Sequence, residues 1–339
     1  MNITIKDVAK RANVSIATVS RVLNGSKPVS LKVKERVLEA IEEMGFNPNP
    51  VARSLIMKTS SLIGVLIPDI KNSFFANFVS GVEEECFKAN YTTLLCNTNG
   101  NLDTELHYLN LLREKYIDGV IILTSSPNKK QRQVDFFEKH SIPVVYAAHV
   151  DKENDHISCI NIDDFQAFYD GTKFLIDSGH RLIAMFSGPL SYFDSGYMRY
   201  KGYRQALADH GIDYQEKWFF EGEYDIQSGY KRGKELLKQK DKPTAICCVS
   251  DMVAIGAIRA AEELGLKVPE DISILGFDDI PIAEAYRPSL TTVRQPIVEL
   301  GIQSAQMLLQ QMQEKDQYVK EVRVLSHEII VRESCLKLN

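Results

Sequence analysis

The chain has 339 residues, enough for two or three domains at roughly 100–200 residues each, and its 44% apolar and 25% charged content is that of an ordinary globular protein. It holds no run of about 18 apolar residues, and its charged start, MNITIKDVAKRANVS, lacks the apolar stretch of a secretory signal, so neither a membrane span nor export is expected and the place is cytoplasmic. The net charge of −5 is unevenly spread: residues 1–57 carry nine Lys/Arg against five Asp/Glu (+4), the remainder 31 against 40 (−9), as for a nucleic-acid module on an acidic body.

Three short helices fit the first 45 residues. Thr4 caps the first in a box-like arrangement with Asp7, and Ile5, Val8, Ala9 and Ala12 face inward. Ser15 caps the second, Val19, Val22 and Leu23 share its apolar face, and Asn24–Gly25 ends it. Ser30 caps the third, which runs through Val33, Val37, Leu38, Ile41 and Met44 to Gly45. Only NVS separates the first two, which predicts helix-turn-helix geometry. In NPNPVARSLIMK, Asn-Pro pairs end the third helix and Pro50 opens a two-turn helix to Met57, too short to be stable alone in water.

From residue 62 the texture changes. Apolar, β-rich runs (LIGVLIPD, TTLLCNT, DGVIILTSS, PVVYAAHV, CINID) alternate with helix-length stretches. The pattern restarts with a helix over 165–178 and continues through LIAMFSG, EKWFFEG, TAICCVSD and ISILGFDD. Such alternation predicts parallel sheets with helices on both faces. About ten strands exceed one compact open sheet, so two α/β lobes are expected, dividing near Asn161–Phe165. A ligand then sits beyond the carboxyl ends of the strands, among the loops after VLIPD, LTSS, FSGP, CVSD and GFDD. The six cysteines (Cys86, Cys96, Cys159, Cys247, Cys248, Cys335) follow no zinc spacing and read as reduced core residues; no metal or cofactor is expected.

TIKDVAKRANVS, TVSRVLN and NPNPVARSL resemble the N-terminal signature of the LacI/GalR (lactose-repressor) family of bacterial transcription regulators. LIGVLIPDIKNSFFANFVSGVE, IDSGHRLIAMFSGP, RYKGYRQAL, VSDMVAIGAIRAAEELGLKVPEDISILGFDD and PSLTTVRQP resemble its body, in order along nearly the whole chain. The resemblance implies an all-α helix-turn-helix head (1–46), a hinge helix or linker (47–60), and a periplasmic-binding-protein-like core of two Rossmann-like lobes, 61–162 with 293–324 and 163–292 with 325–339. It also implies a homodimer on palindromic double-stranded operator DNA, associated with the nucleoid.

The second helix would then lie in the major groove. Ile16 and Ala17 stand at the family's variable base-reading positions and offer only shape and thymine-methyl contacts, whereas Arg21 suits guanine. Thr4, Ser15, Thr18, Ser20 and Asn24 would hold phosphates, with capping alone as the other role for Ser15 and Asn24. The resemblance makes Leu55 a minor-groove wedge, with Ala52 allowing close approach of the paired hinge helices.

In the body, Arg199 and Asp278 match effector-contacting positions, Tyr224 a stacking aromatic, and Ser250 and Asp251 the polar end of a strand at the cleft. Phe74 and Phe75 follow the first strand; Ser195 and Asp194 precede Arg199. Guanidinium and carboxylate beneath aromatic rings suit a sugar or sugar phosphate; a structural Arg–Asp pair is the plainer alternative. The expected function is repression of a carbohydrate-utilisation operon, with induction the commoner outcome for sugars in the family. The alternatives are a purine corepressor, or a catabolite-control-type regulator whose corepressor is a phosphorylated carrier protein, for which SGYMRYKGYRQ offers Arg199, Lys201 and Arg204. No GxSxG, Walker loop, HExxH or metal-ligand spacing of the seven histidines points to an enzyme.

Overall fold

A computed structural model describes residues 3–24, 28–46, 60–123, 130–147 and 157–338. The expected hinge helix, with Ala52 and Leu55, lies outside the described residues, as do the side chains of Asn24 and Asp194. The chain forms two compact units, Met1–Ser60 and Ser61–Asn339.

The first unit holds α1 (Ile5–Arg11), α2 (Ile16–Asn24) and α3 (Leu31–Met44). The Asp7 carboxylate accepts from both the backbone N–H (2.9 Å) and the hydroxyl (2.7 Å) of Thr4, which draws its pKa below the ordinary value. Ser15 Oγ accepts from Thr18 N–H at 3.1 Å and caps α2. Between these helices Asn13 takes a left-handed φ of +50°, and Val14 N–H reaches back to the Ala9 carbonyl at 3.0 Å, which makes the turn tight. Val8, Val19 and Val37 form a fully buried centre. Two expectations fail here. Ser30 precedes α3 but its side chain makes no capping bond, and Leu38 is 46% exposed because it points away from the small core.

The second unit contains two six-stranded sheets. The first has the order β11-β5-β4-β3-β1-β2, from β1 (Leu62–Ile67), β2 (Thr92–Asn97), β3 (Gly119–Leu123), β4 (Val144–Ala147), β5 (Ser158–Ile162) and β11 (Val322–Leu325), all parallel. The register sets Val65 against Leu95 and Ile121. The second has the order β12-β10-β9-β8-β6-β7, from β6 (Ile183–Ser187), β7 (Phe219–Glu221), β8 (Ala245–Cys248), β9 (Ser273–Asp278), β10 (Thr291–Arg294) and β12 (Glu328–Ile330). Only β12 runs antiparallel to its neighbour, β10. Strands β1, β3, β4 and β8 are apolar and buried almost throughout because helices cover both faces of a parallel sheet.

Helices α4 (Ser73–Lys88), α5 (Leu102–Glu114), α6 (Lys130–His140) and α12 (Ile297–Glu314) belong to the first lobe, and α7 (Asp164–Asp177), α8 (Arg199–Asp209), α9 (Ile226–Leu236), α10 (Asp251–Glu263) and α11 (Pro281–Ala285) to the second. The chain passes between lobes after β5, at Gln295–Pro296, and between β11 and β12. Two expected boundaries shift accordingly. Val293 and Arg294 are in β10 of the second sheet, and Leu325 pairs with Ile162 at the end of β11 in the first. The six cysteines carry no disulfide, and five are buried. Among the described residues no helix is long and apolar enough to cross a membrane.

The first lobe closes where α4 and α12 cross through a reciprocal pair of glycines. A Cβ on Gly81 would collide with the Val298 carbonyl, and one on Gly301 with the Phe78 carbonyl. Backbone atoms in two packed helices cannot yield as a side-chain tip can. Gly301→Ala is therefore expected to lower unfolding stability by about 1–3 kcal/mol. Urea denaturation checks this, and an unchanged midpoint would mean that the crossing tolerates the methyl.

Candidate functional site

The first unit presents α2 with an apolar inner face and a polar outer one. Val19 is fully buried, while Ile16 is 44% exposed and Ala17 and Arg21 are exposed beside it. Ser15 Oγ and Thr18 Oγ1 are 2.9 Å apart and share a hydrogen bond at the start of the helix, next to Ile16 and Ala17. Thr4 and Ser15 serve helix ends, Thr4 Oγ1 donating to Asp7 and Ser15 Oγ accepting from Thr18 N–H.

The second unit holds a pocket of about 570 Å³ at the carboxyl ends of both sheets. Phe74 and Phe75 line it from the start of α4, edge to face with centroids 5.2 Å apart. Asn72 places them by accepting from Phe74 N–H at 3.0 Å as the N-cap of α4. Tyr192 and Tyr224 stack with centroids 6.2 Å apart and planes 12° from parallel. The hydroxyl of Tyr224 donates to Ser195 Oγ at 2.9 Å. Buried Arg232 steadies the Tyr224 loop, donating to the Glu223 carbonyl and the Ser187 carbonyl, each at 2.8 Å.

Arg199, Asp164, Asp278 and Gln295 supply the buried polar part of the lining. A π-helical turn over Phe193–Met198 brings the chain to Arg199 at the first position of α8. Arg199 Nε donates to Asp164 Oδ1 at 2.6 Å, Nη1 donates to the Val249 carbonyl at 2.7 Å, and the guanidinium lies 3.8 Å from the centroid of the Phe277 ring. Asp278 Oδ1 accepts from Gln295 Nε2 at 2.6 Å. Burial pushes the Asp278 carboxyl up to about 7, against the opposing pull of Arg199 and Gln295.

Phe74, Phe75, Ser195, Arg199, Tyr224 and Asp278 thus meet at one pocket. Ser250 and Asp251 do not line it, contrary to expectation. Ser250 Oγ caps α10 by accepting from Val253 N–H at 3.3 Å. Asp251 turns inward, fully buried, and accepts from Ile280 N–H at 2.8 Å and Thr292 Oγ1 at 2.6 Å. Their neighbour Met252 lines the pocket instead. A polar pair at a strand end reads the same in sequence whether it caps the next helix or faces a ligand. Asp164, Tyr192 and Gln295 were the lining residues to find: Asp164 stands at the carboxyl end of β5 in NIDD, Tyr192 in the aromatic SYFDSGY, and Gln295 on the chain crossing VRQP.

Comparison with known proteins agrees with this division. A family model for bacterial regulatory proteins of the lacI family matches residues 4–49, and one for periplasmic binding proteins and the sugar binding domain of the LacI family matches residues 60–330. Catabolite control protein A of Priestia megaterium is 40% identical over 98% of this chain and 99% of its own. The transcriptional repressor PurR of Aliivibrio salmonicida is 36% identical over 99% of each. Among solved structures, the lac repressor dimer bound to operator and the anti-inducer ONPF superposes with a TM-score of 0.88 at 29% identity, covering 99% of this chain and 100% of that one. Matched at both units and along nearly its full length, this chain belongs to the LacI family of bacterial regulatory proteins.

Proposed function

We propose that this LacI-family regulator represses a carbohydrate-utilisation operon, binding palindromic operator DNA as a homodimer under the control of an uncharged sugar in the pocket. The observation that carries the reading is the pocket chemistry. Buried Asp278 and Arg199 lie at one cavity with two pairs of aromatic rings, so hydroxyls have a carboxylate acceptor and a guanidinium donor, and apolar C–H faces have rings to cover them. The lining holds Asp69, Asp164, Glu223, Asp225 and Asp278 against Lys71 and Arg199. That excess of carboxylates opposes a phosphate ester and favours the sugar itself.

A phosphorylated carrier protein as corepressor finds less support. Of the three cations in SGYMRYKGYRQ, Arg199 is buried and committed to Asp164. Arg204 lies 3.9 Å from the Tyr214 ring centroid and donates to Tyr200 Oη at 2.7 Å. That leaves exposed Lys201 and a partly engaged Arg204, a thin set of donors for a phosphate clamp.

On DNA, α2 enters the major groove with Arg21 as its polar reader, Ile16 and Ala17 on thymine methyls, and Thr4, Ser15, Thr18, Ser20 and Asn24 on phosphates. Leu55, with Ala52 beside it, supplies the wedge at the operator centre. In a cell, a regulator acting this way would work in the cytoplasm, on the nucleoid.

Three measurements test the reading. Arg21→Ala is expected to cost about 1–3 kcal/mol at one base pair per half-site and leave other positions unchanged. Binding titrations across an operator library decide this, and uniform weakening over all sequences would make Arg21 a phosphate contact. For the pocket, thermal-shift screening of the full chain compares free sugars, their phosphate esters and purines. Stabilisation by a free sugar is expected; stabilisation confined to phosphate esters or purines would sink the proposed ligand class. A ligand hydroxyl donates to the ionised Asp278 and so prefers that form. Affinity for the stabilising sugar is therefore expected to rise about tenfold between pH 6 and pH 8 and level off above. Calorimetric titration at both pH values checks it, with Asp278→Asn binding weakly and without that slope.

A further inference from the structure

The turn that leaves β9 ties the pocket to the opposite lobe. Asp278 (φ +111°) and Asp279 (φ +58°) are consecutive non-glycine residues with positive φ, a conformation that survives only where the surroundings impose it. Asp278 faces the pocket and is held by Gln295 on the chain crossing. The carboxylate of Asp279 is clamped by Arg294 Nε and Arg332 Nη1, each at 2.7 Å. The next residue, Ile280, is 1% exposed, yet its side chain is not part of a second-lobe core. It joins the apolar cluster of the first lobe, with Ile63, Phe78 and Leu300. Met252, also from the second lobe, packs against the same cluster.

Behind this turn stands Asp251. It is fully buried and off the pocket lining, so ligand recognition does not explain it. A buried carboxylate is retained only where hydrogen bonds satisfy it. Its two bonds go to Ile280 N–H (2.8 Å) and to Thr292 Oγ1 on β10 (2.6 Å). A Cβ at Gly276 on β9 would strike its Oδ1, so the strand leaves room for this carboxylate and no more.

We propose that Asp251 is a positioning residue: it holds the 278–280 turn so that Ile280 stays seated in the first lobe, making the turn a mechanical link between the pocket and the lobe–lobe contact. The link bears on regulation only if the pocket takes the effector, as argued above. Its test uses no ligand, so its failure and the failure of that reading are distinct results.

The experiment is hydrogen–deuterium exchange on the full chain, free of DNA. Ile280→Ala is expected to accelerate exchange about tenfold both at 276–281 and in the first lobe at 74–82 and 297–308. Thr292→Val, which removes one bond to Asp251 and lies in the other lobe, is expected to accelerate the same first-lobe amides to a smaller extent. Thr292→Ser, which keeps the hydroxyl, should restore the wild-type rates. Leu290→Ala empties a site in the second-lobe core and serves as control, expected to lower the melting temperature with first-lobe exchange unchanged. The proposal is overturned if Thr292→Val changes exchange in the second lobe only, or if Leu290→Ala reproduces the first-lobe effect.

Discussion

The pocket is organised by the ion pair between Arg199 and Asp164. Both side chains are buried, and a guanidinium taken out of water is tolerated only with a carboxylate and further acceptors in good geometry. Asp164 opens α7, Arg199 opens α8, and the Val249 carbonyl follows β8. Satisfying one charge therefore draws together three chain segments at the carboxyl ends of the second sheet. Phe277 beneath the guanidinium adds a fourth, from β9. The pair also decides what is left for a ligand. With its Nε and Nη1 committed, Arg199 is a partial donor, and Asp278 accepts its side-chain hydrogen bond from the neutral amide of Gln295. Its raised pKa follows from burial, which the pull of Arg199 and Gln295 offsets only in part.

The same arrangement explains why one loop serves two purposes. Parallel strands deliver their carboxyl ends to a single edge, so the loops there must build the pocket and also meet the other lobe. Met252 follows the two residues that turn inward, and it both lines the pocket and packs on the first lobe's apolar cluster. Phe74 has the same double role from the other side, as pocket wall and core residue. Ligand recognition and lobe contact thus share side chains. A change in one is a change in the other without any long relay, and its size is bounded by the ligand's differential affinity for the two arrangements.

Legibility in the sequence follows the range of the forces involved. The three N-terminal helices are readable because their signals are local: Thr4 with Asp7, Ser15 at the next cap, and an apolar period that converges on Val8, Val19 and Val37. Strands β1, β3, β4, β6, β8 and β9 announce themselves as largely apolar runs because both sheet faces are covered, and the edge strands β2 and β7 by their β-branched, leucine and aromatic residues. Short β11, with Val322 and Val324 exposed, and short β12 carry no such run and owe their places to pairing partners remote in sequence. At the pocket, Arg199, Tyr224 and Asp278 are found through family resemblance, whereas Asp164 is invisible as a partner of Arg199 because nothing local couples residues 35 apart. Ser250 and Asp251 show the opposite failure. Their polarity is plain, but its direction depends on Ile280 and Thr292, which only the fold brings near.

The reading head carries little hydrogen-bonding information for its size. Ile16 and Ala17 are exposed on α2, and their side chains neither donate nor accept; in the proposed DNA-bound arrangement they would separate thymine from other bases by shape and leave guanine and cytosine poorly resolved. One arginine per half-site cannot single out an operator among the many sites of a genome. On that proposal the missing discrimination comes from geometry: two heads at fixed spacing multiply their half-site preferences, and a central step kinked by the proposed Leu55 wedge would add the deformability of its own sequence. Spacing between heads is a property of the assembly rather than of α2, which is why a chain with so plain a recognition helix has reason to place its control in the lobes.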